Sequence, residues 1–242
     1  MKLNNMSARR GMAAVLGAML AGTLSPVPRA VADEGQVDRV TRAALKLDAD
    51  PKRGAETFGQ VCAHCHGAKA HGNATRAIPA LAGQRFAYLV RQLANFAGGE
   101  RDSATMHRIV SEPRLRDPQA WVDVAAYLNA LPVAPFEVTG DGSGAALGRG
   151  IFHEQCSSCH RADAHGDDAG FVPALRNQHY SYLVSQMHKL ASGARHNADE
   201  DLVRFIRSLE DSDIAAVADY LSRLRGPGAD RKHMRDDGVV VD

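Results

Sequence analysis

The chain has 242 residues, of which 45% are hydrophobic and 24% charged, and its formal net charge is +1 at pH 7. These values are typical of a globular protein with one or two domains. The near-neutral charge argues against nucleic-acid binding, which requires a basic surface. Beyond residue 32, no apolar run is long enough to span a membrane.

The first 32 residues have the three parts of an export signal. A basic start precedes an apolar run from Gly11 to Leu24, and the small-residue pattern Ala30-Val31-Ala32 follows. The run is shorter than the roughly 20 residues that a membrane-spanning helix needs. We therefore expect cleavage after Ala32 and a periplasmic location. The remaining chain carries 25 basic and 28 acidic side chains.

Residues 62–66 and 156–160 both match Cys-x-x-Cys-His, and together they use all four cysteines. This pattern is the attachment signature of c-type haem. Two thiols one helical turn apart can form thioethers to one porphyrin, and the adjacent histidine can bind the iron. We expect two covalently bound haem c groups, attached through Cys62, Cys65, Cys156 and Cys159.

Zinc sites and thiol redox centres also use Cys-x-x-Cys. A zinc site would need further ligands at short, regular spacing, and a thioredoxin-like centre would lie in a βαβ pattern. The sequence shows neither pattern, so covalent haem is the favoured interpretation of both motifs.

The two motifs belong to a repeat of 94 residues. A shift of 94 also aligns Phe58 with Phe152, His71-Gly72 with His165-Gly166, Pro79-Ala80-Leu81 with Pro173-Ala174-Leu175, Gln84 with Gln178, and Tyr88-Leu89-Val90 with Tyr182-Leu183-Val184. We predict two homologous domains, residues 50–132 and 144–225. Residues 133–143 are expected to form a linker and residues 226–242 a mobile tail.

Apolar residues spaced at i, i+3, i+4 and i+7 predict two helices in each domain. The four sets are Phe86, Leu89, Val90 and Leu93; Trp121, Val124, Ala125 and Leu128; Tyr180, Leu183, Val184 and Met187; and Ile214, Val217, Ala218 and Leu221. No strand alternation is evident, so the predicted fold is all-α. A domain of about eighty residues buries a small core by itself, and a porphyrin between the helices would enlarge it.

The first domain carries, in order, Cys62-Ala63-His64-Cys65-His66-Gly67, Pro79-Ala80-Leu81-Ala82-Gly83-Gln84, Tyr88-Leu89-Val90-Arg91-Gln92-Leu93, Gly99-Glu100-Arg101 and Met106. In this order and in tandem, these elements resemble the cytochrome c4 group of di-haem class I cytochromes c. The resemblance covers nearly all of the chain between the export signal and the tail. It implies two tandem class I cytochrome c domains, each wrapped around one covalent haem.

The resemblance also implies the iron ligands. His66 and His160 would be the proximal ligands, and Met106 would be the distal ligand of the first haem. Pro79 and Pro173 would accept hydrogen bonds from the proximal histidines through their backbone carbonyls, which would fix the imidazole tautomer. Core packing is the alternative role for Met106.

The second domain departs from the family pattern on the distal side. Glu200 stands 94 residues after Met106, and a carboxylate is a poor substitute for a thioether on haem iron. Residues 197–200 are typical of a capping box at a helix start, with Asn197 as the cap. We favour His196 as the distal ligand of the second iron. The alternatives are a vacant or water-bound iron, His188, Met187 and Met234.

The pattern favours electron transfer between periplasmic redox proteins, toward a terminal oxidase, with no small-molecule substrate. Iron with two protein ligands exchanges electrons readily, and a methionine ligand raises its potential. Partners would dock transiently through small interfaces. One alternative is an enzyme or ligand-binding protein that uses an open second haem for peroxide, nitric oxide, carbon monoxide or a small sulfur compound. Another is a haem subunit of a larger dehydrogenase.

Overall fold

In a computed structural model, which describes residues 35–133 and 139–225, the chain folds into helices. The first half contains α1 (Gln36–Ala44), α2 (Pro51–Thr57), α3 (Ala63–His66), α4 (Phe86–Gly98), α5 (Ala104–Val110) and α6 (Pro118–Ala130). The second half contains α7 (Ala145–Ile151), α8 (Ser157–His160), α9 (Tyr180–Ala191), α10 (Glu200–Arg207) and α11 (Asp211–Arg223). The predicted export signal, the tail with Met234 and linker residues 134–138 lie outside the described residues.

The four predicted helices are confirmed as α4, α6, α9 and α11. Within the described ranges there is no β-sheet, only two isolated bridges at equivalent places, Asn73 with Ile78 and Asp167 with Val172. None of the helices in these ranges has the length and apolarity needed to cross a membrane. The all-α prediction is therefore confirmed.

The core of each half is built around one buried phenylalanine. Phe58 packs against Tyr127 with ring centroids 5.6 Å apart, and Phe152 packs against Tyr220 at 5.7 Å. Both phenylalanines are at most 1% exposed. This equivalent packing shows that the sequence repeat is also a structural repeat.

Close helix crossings explain one glycine in each half. A Cβ atom at Gly54 in α2 would collide with the carbonyl oxygen of Asp123 in α6, and one at Gly148 in α7 would collide with that of Ala216 in α11. Glycine therefore allows α2 to lie directly on α6, and α7 directly on α11.

A buried carboxylate also stabilises the contact between these two helices in each half. Asp123 accepts hydrogen bonds from the Asp50 amide and from Arg53 Nε, both at 2.8 Å. Asp219 accepts from Arg223 Nε at 2.8 Å and from the Gly144 amide at 3.3 Å. The start of α2 and the start of α7 are thus each tied to the last helix of their domain.

Helix α1 is an element that the sequence analysis did not predict. Its buried residues Val37, Thr41 and Ala44 form one face, and the helix packs against α4 and α6. It precedes residue 50 and extends the first domain toward the N-terminus.

Candidate haem sites

A π-helical turn leads into each Cys-x-x-Cys-His motif. The turns span Phe58–Cys62 and Phe152–Cys156, and the short helices α3 and α8 follow directly. Such wide turns are rare and are frequently found at functional sites. Each turn ends on the first cysteine, and the helix after it ends on the histidine, so one compact segment holds all three residues.

The two motif histidines are oriented in the same way. His66 Nδ1 lies 3.1 Å from the Pro79 carbonyl oxygen, and His160 Nδ1 lies 3.0 Å from that of Pro173. A carbonyl can only accept, so Nδ1 carries the proton and Nε2 has a lone pair available for a metal. This confirms the predicted roles of the two prolines.

Burial also favours the neutral form of both imidazoles. It lowers the pKa of His66 and of His160, although the carbonyl hydrogen bond opposes the shift in each case. A neutral imidazole is the form that binds iron.

The four cysteines form no disulfide bond. Burial raises the pKa of the Cys62 thiol to about 12 and that of Cys156 to about 11. Thiols that stay protonated resist oxidation and remain free to form thioethers. Two unpaired thiols and a neutral imidazole within one turn, present twice, fit covalently attached haem c.

Met106 is the third residue of α5 and is partly buried. The Ser103 hydroxyl caps this helix by accepting a hydrogen bond from the Met106 amide at 3.3 Å. His107 Nδ1 donates to the Phe96 carbonyl oxygen at 2.9 Å, which fixes α5 against the end of α4. That Met106 binds the first iron stays a prediction.

The helix start expected at Asn197 lies two residues later. The cap of α10 is Asp199, whose carboxylate accepts hydrogen bonds from the amides of Asp201 and Leu202. The Asn197 side chain instead accepts from Arg195 Nε at 3.1 Å and donates to Gln92 at 3.2 Å. The cap prediction was wrong because this asparagine is bound between the two domains.

The candidate distal residues of the second domain do not converge on one place. His196 is exposed in the loop before α10, and Glu200 is exposed on its first turn. Met187 packs against the apolar core of the domain, as interpreted from the sequence. His188 lies 3.7 Å from the Asp211 carboxylate. That His196 binds the second iron also stays a prediction.

Comparison with known proteins identifies the family. The family model for cytochrome c matches residues 145–225, and that for cytochrome c oxidase, cbb3-type, subunit III matches residues 49–128. Cytochrome c4 of Thiocapsa roseopersicina is 31% identical over 194 residues, which cover 76% of this chain and 97% of the relative. The chain belongs to the cytochrome c4 family of di-haem class I cytochromes c. The protein therefore belongs to the general class of c-type cytochromes that carry electrons.

A further curated relative is the thiosulfate dehydrogenase electron acceptor of Stutzerimonas stutzeri (strain A1501). It is 34% identical over 181 residues, which cover 71% of this cytochrome and 82% of the relative. Among solved structures, reduced cytochrome c4 from Pseudomonas stutzeri matches with a TM-score of 0.64 and 26% identity, covering 72% of this chain and 98% of that one. Thiosulfate dehydrogenase (TsdBA) from Marichromatium purpuratum matches with a TM-score of 0.61 and 28% identity, covering 71% of this chain and 39% of that one.

In this cytochrome each haem site is supported by a glutamine of the other domain. Gln84 Nε2 donates to the Ala174 carbonyl oxygen at 3.0 Å, and the Ala174 amide donates back to Gln84 Oε1 at 2.8 Å. Gln178 makes the same pair of bonds with Ala80, both at 2.9 Å. Ala80 and Ala174 directly follow the prolines that orient the two histidines. The sequence analysis missed this role, although the recurrence of Gln84 and Gln178 was its signal.

Two arginines cross between the domains beside these glutamines. Arg101 is buried and donates to the Tyr182 hydroxyl at 2.9 Å and to Gln186 Oε1 at 2.8 Å. Arg195 makes the equivalent contact with the Tyr88 hydroxyl at 3.4 Å. Burial alone would raise the pKa of Tyr88, but Arg195 and Arg101 together lower it.

The domain contact also has one asymmetric cluster around His165. Arg85 Nη1 lies 2.7 Å from one ring nitrogen of His165, and Arg176 Nη2 lies 2.6 Å from the other. Arginine can only donate, so a neutral ring can accept a hydrogen bond from one of the two arginines and a protonated ring from neither. Burial, followed by the charges of Arg176 and Arg85, lowers the pKa of His165. Arg85 also pairs with Asp168.

Proposed function

We propose that the protein is an exported di-haem electron carrier that transfers electrons between periplasmic redox proteins, toward a terminal oxidase. The observation that carries this proposal is the repeated site, in which a Cys-x-x-Cys-His segment and a proline carbonyl orient a histidine that is buried in the first domain and partly buried in the second.

The side chains have distinct tasks in this proposal. Cys62 and Cys65 would attach the first haem, His66 would bind its iron, and Met106 would bind the opposite side. Cys156, Cys159 and His160 would have the corresponding tasks in the second domain. Each haem, when bound, supplies a centre that accepts and releases one electron, and a methionine ligand raises its potential.

The relatives favour a specific class of electron donor. Two of them, from Stutzerimonas stutzeri (strain A1501) and Thiomonas intermedia (strain K12), are thiosulfate dehydrogenase electron acceptors. The second is 30% identical over 172 residues. We infer that the donor of this cytochrome is a dehydrogenase that oxidises a small sulfur oxyanion such as thiosulfate, and that the oxyanion binds to the dehydrogenase and not to the cytochrome.

A second candidate function is that of a haem subunit within such a dehydrogenase. The similarity to TsdBA favours it, because this chain matches 39% of that longer chain. A permanent subunit would bury a large apolar interface, whereas a transient carrier would bury less than about 1,200 Å². Purification of the cytochrome from its native source, alone or with a dehydrogenase, separates the two.

The donor proposal is tested by mixing the oxidised cytochrome with purified thiosulfate dehydrogenase in a stopped-flow spectrometer. Thiosulfate should reduce the cytochrome rapidly when the enzyme is present and should not do so when it is omitted. Because transient docking is screened by salt, the rate should fall as ionic strength rises. Equal rates with and without the enzyme would contradict this choice of donor.

A further inference from the structure

We propose that Leu202 stands at the distal position of the second haem, so that this iron lacks a side-chain ligand there and binds a small neutral diatomic molecule such as carbon monoxide or nitric oxide. The inference rests on the proposed function, which places a haem at His160. It concerns only what this chain supplies on the opposite side of that haem.

The caps of α5 and α10 give the structural register of the two helices. In α5 the Ser103 side chain accepts a hydrogen bond from the amide of Met106, three residues later. In α10 the Asp199 side chain accepts one from the amide of Leu202, also three residues later, at 3.2 Å. Met106 and Leu202 are therefore the same helical position, 96 residues apart.

The rest of the two helices agrees with this register. The buried residue of α5 is Val110, 2% exposed, and that of α10 is Ile206, 6% exposed. Each lies four residues after Met106 or Leu202. The repeat of 94 residues does not hold here because the loop after Arg195 is two residues longer than its counterpart in the first domain. Glu200, which that repeat aligns with Met106, is equivalent to the exposed Ala104.

Both helices are also anchored to the preceding long helix. His107 of α5 bonds to the Phe96 carbonyl of α4, and Arg207 Nε of α10 donates to the Ala191 carbonyl oxygen of α9 at 2.9 Å. Helix α10 thus packs on α9 as α5 packs on α4.

The chemistry of α10 then determines what the site can bind. Leucine has no lone pair and cannot bind iron. Phe205 and Ile206, three and four residues after Leu202, share its side of the helix and are at least partly buried. The polarity of the pocket on the distal side of a haem, and the hydrogen-bond donors in it, decide whether the iron binds oxygen, activates it or only transfers electrons. A leucine with apolar neighbours offers no donor to a bound oxygen molecule, so carbon monoxide and nitric oxide are the favoured ligands.

The experiment uses the full-length holoprotein, reduced with dithionite and titrated with carbon monoxide. We expect one molecule bound per chain, at the second haem. Leu202→Met should abolish this binding by supplying the missing thioether, and Met106→Leu should raise it to two per chain. The matched control is Leu147→Met, on an exposed position of α7, which should still bind one.

Electron-resonance spectra of the oxidised proteins give an independent measure. The wild type should show one high-spin and one low-spin haem, and Leu202→Met should convert the high-spin signal to low-spin. If Leu202→Met folds poorly, as judged by circular dichroism, Leu202→Ala replaces it and should keep both the high-spin signal and carbon monoxide binding.

Two different results would overturn the inference, and only the second would also refute the proposed function. Two low-spin haems that bind no carbon monoxide, with one becoming high-spin in His196→Ala, would establish His196 as the distal ligand. A second motif that carries no haem would refute the proposed function itself.

Discussion

Replacing Gln84 with leucine removes the two hydrogen bonds that this side chain makes with the backbone of Ala174 in the other domain. Leucine has nearly the same volume, so the packing between the domains is largely retained. The amide and the carbonyl of Ala174 are both left without these partners, and Ala174 is buried. The segment that orients His160 thereby loses its support.

The expected cost follows from the number of groups affected. A buried donor or acceptor that loses its partner costs about 1–3 kcal/mol. The two groups of Ala174, together with the partly buried Arg85 amide that donates to Gln84 Oε1 at 2.8 Å, give a loss of about 3 kcal/mol in the free energy of unfolding. For a protein of this size 1 kcal/mol corresponds to about 2–4 °C, so we expect the melting temperature to fall by about 6–12 °C.

The assay is thermal unfolding followed by circular dichroism, together with redox titration of each haem. Gln84→Leu should perturb mainly the potential of the second haem, because Ala174 follows Pro173. Gln178→Leu should perturb mainly the first haem, since its partner Ala80 follows Pro79. The control Gln36→Leu lies on an exposed position of α1 and should change neither property. An unchanged melting temperature, or a perturbation confined to the domain that carries the substitution, would refute the proposed cross-domain support.

Three further predictions concern single residues. Met106→Ala should lower the potential of the first haem and open its iron to carbon monoxide, because a thioether favours reduced iron; an unaltered titration would assign Met106 to the core. Arg161 has φ 66° and ψ 157°, a backbone conformation almost restricted to glycine. Arg161→Gly should therefore raise the melting temperature by about 2–4 °C, the equivalent of about 1 kcal/mol. The folded protein lowers the pKa of His165, so the free energy of unfolding should fall as the pH drops below 6.5, the pKa of this histidine in the unfolded chain. Melting curves of His165→Gln over the same pH range should show a smaller loss of stability.

The long helices could be predicted from the sequence, and the two Cys-x-x-Cys-His segments could be recognised there, because both depend on short-range patterns. The spacing of Cys62, Cys65 and His66 is dictated by the chemistry of attachment, and one apolar stripe specifies α4. The support from Gln84 and Gln178 could not be predicted in the same way. Their recurrence was visible, but their partners depend on how the two domains dock.

The distal position of the second domain shows a different limit. Alignment at a constant offset placed Glu200 opposite Met106, although the cap at Asp199 identifies Leu202 as the equivalent residue. The second domain has two more residues than the first before α10 and three fewer between α10 and α11. Tyr127 therefore aligns with Tyr220 at an offset of 93. These two length differences nearly cancel, so the last helices of the two domains align at almost the 94-residue offset. The different offset at Met106 and Leu202 is therefore hidden from a comparison of the rest of the repeat.

The most direct test of the account is the amount of haem that stays attached to the chain under denaturing conditions. Intact mass spectrometry of the purified protein should show the processed chain plus two haem groups, and iron analysis should give two atoms per chain. Replacing Cys156 and Cys159 by alanine should reduce both values to one. A colourless protein that contains zinc, or a wild-type chain that releases its haem into acidified organic solvent, would contradict the account.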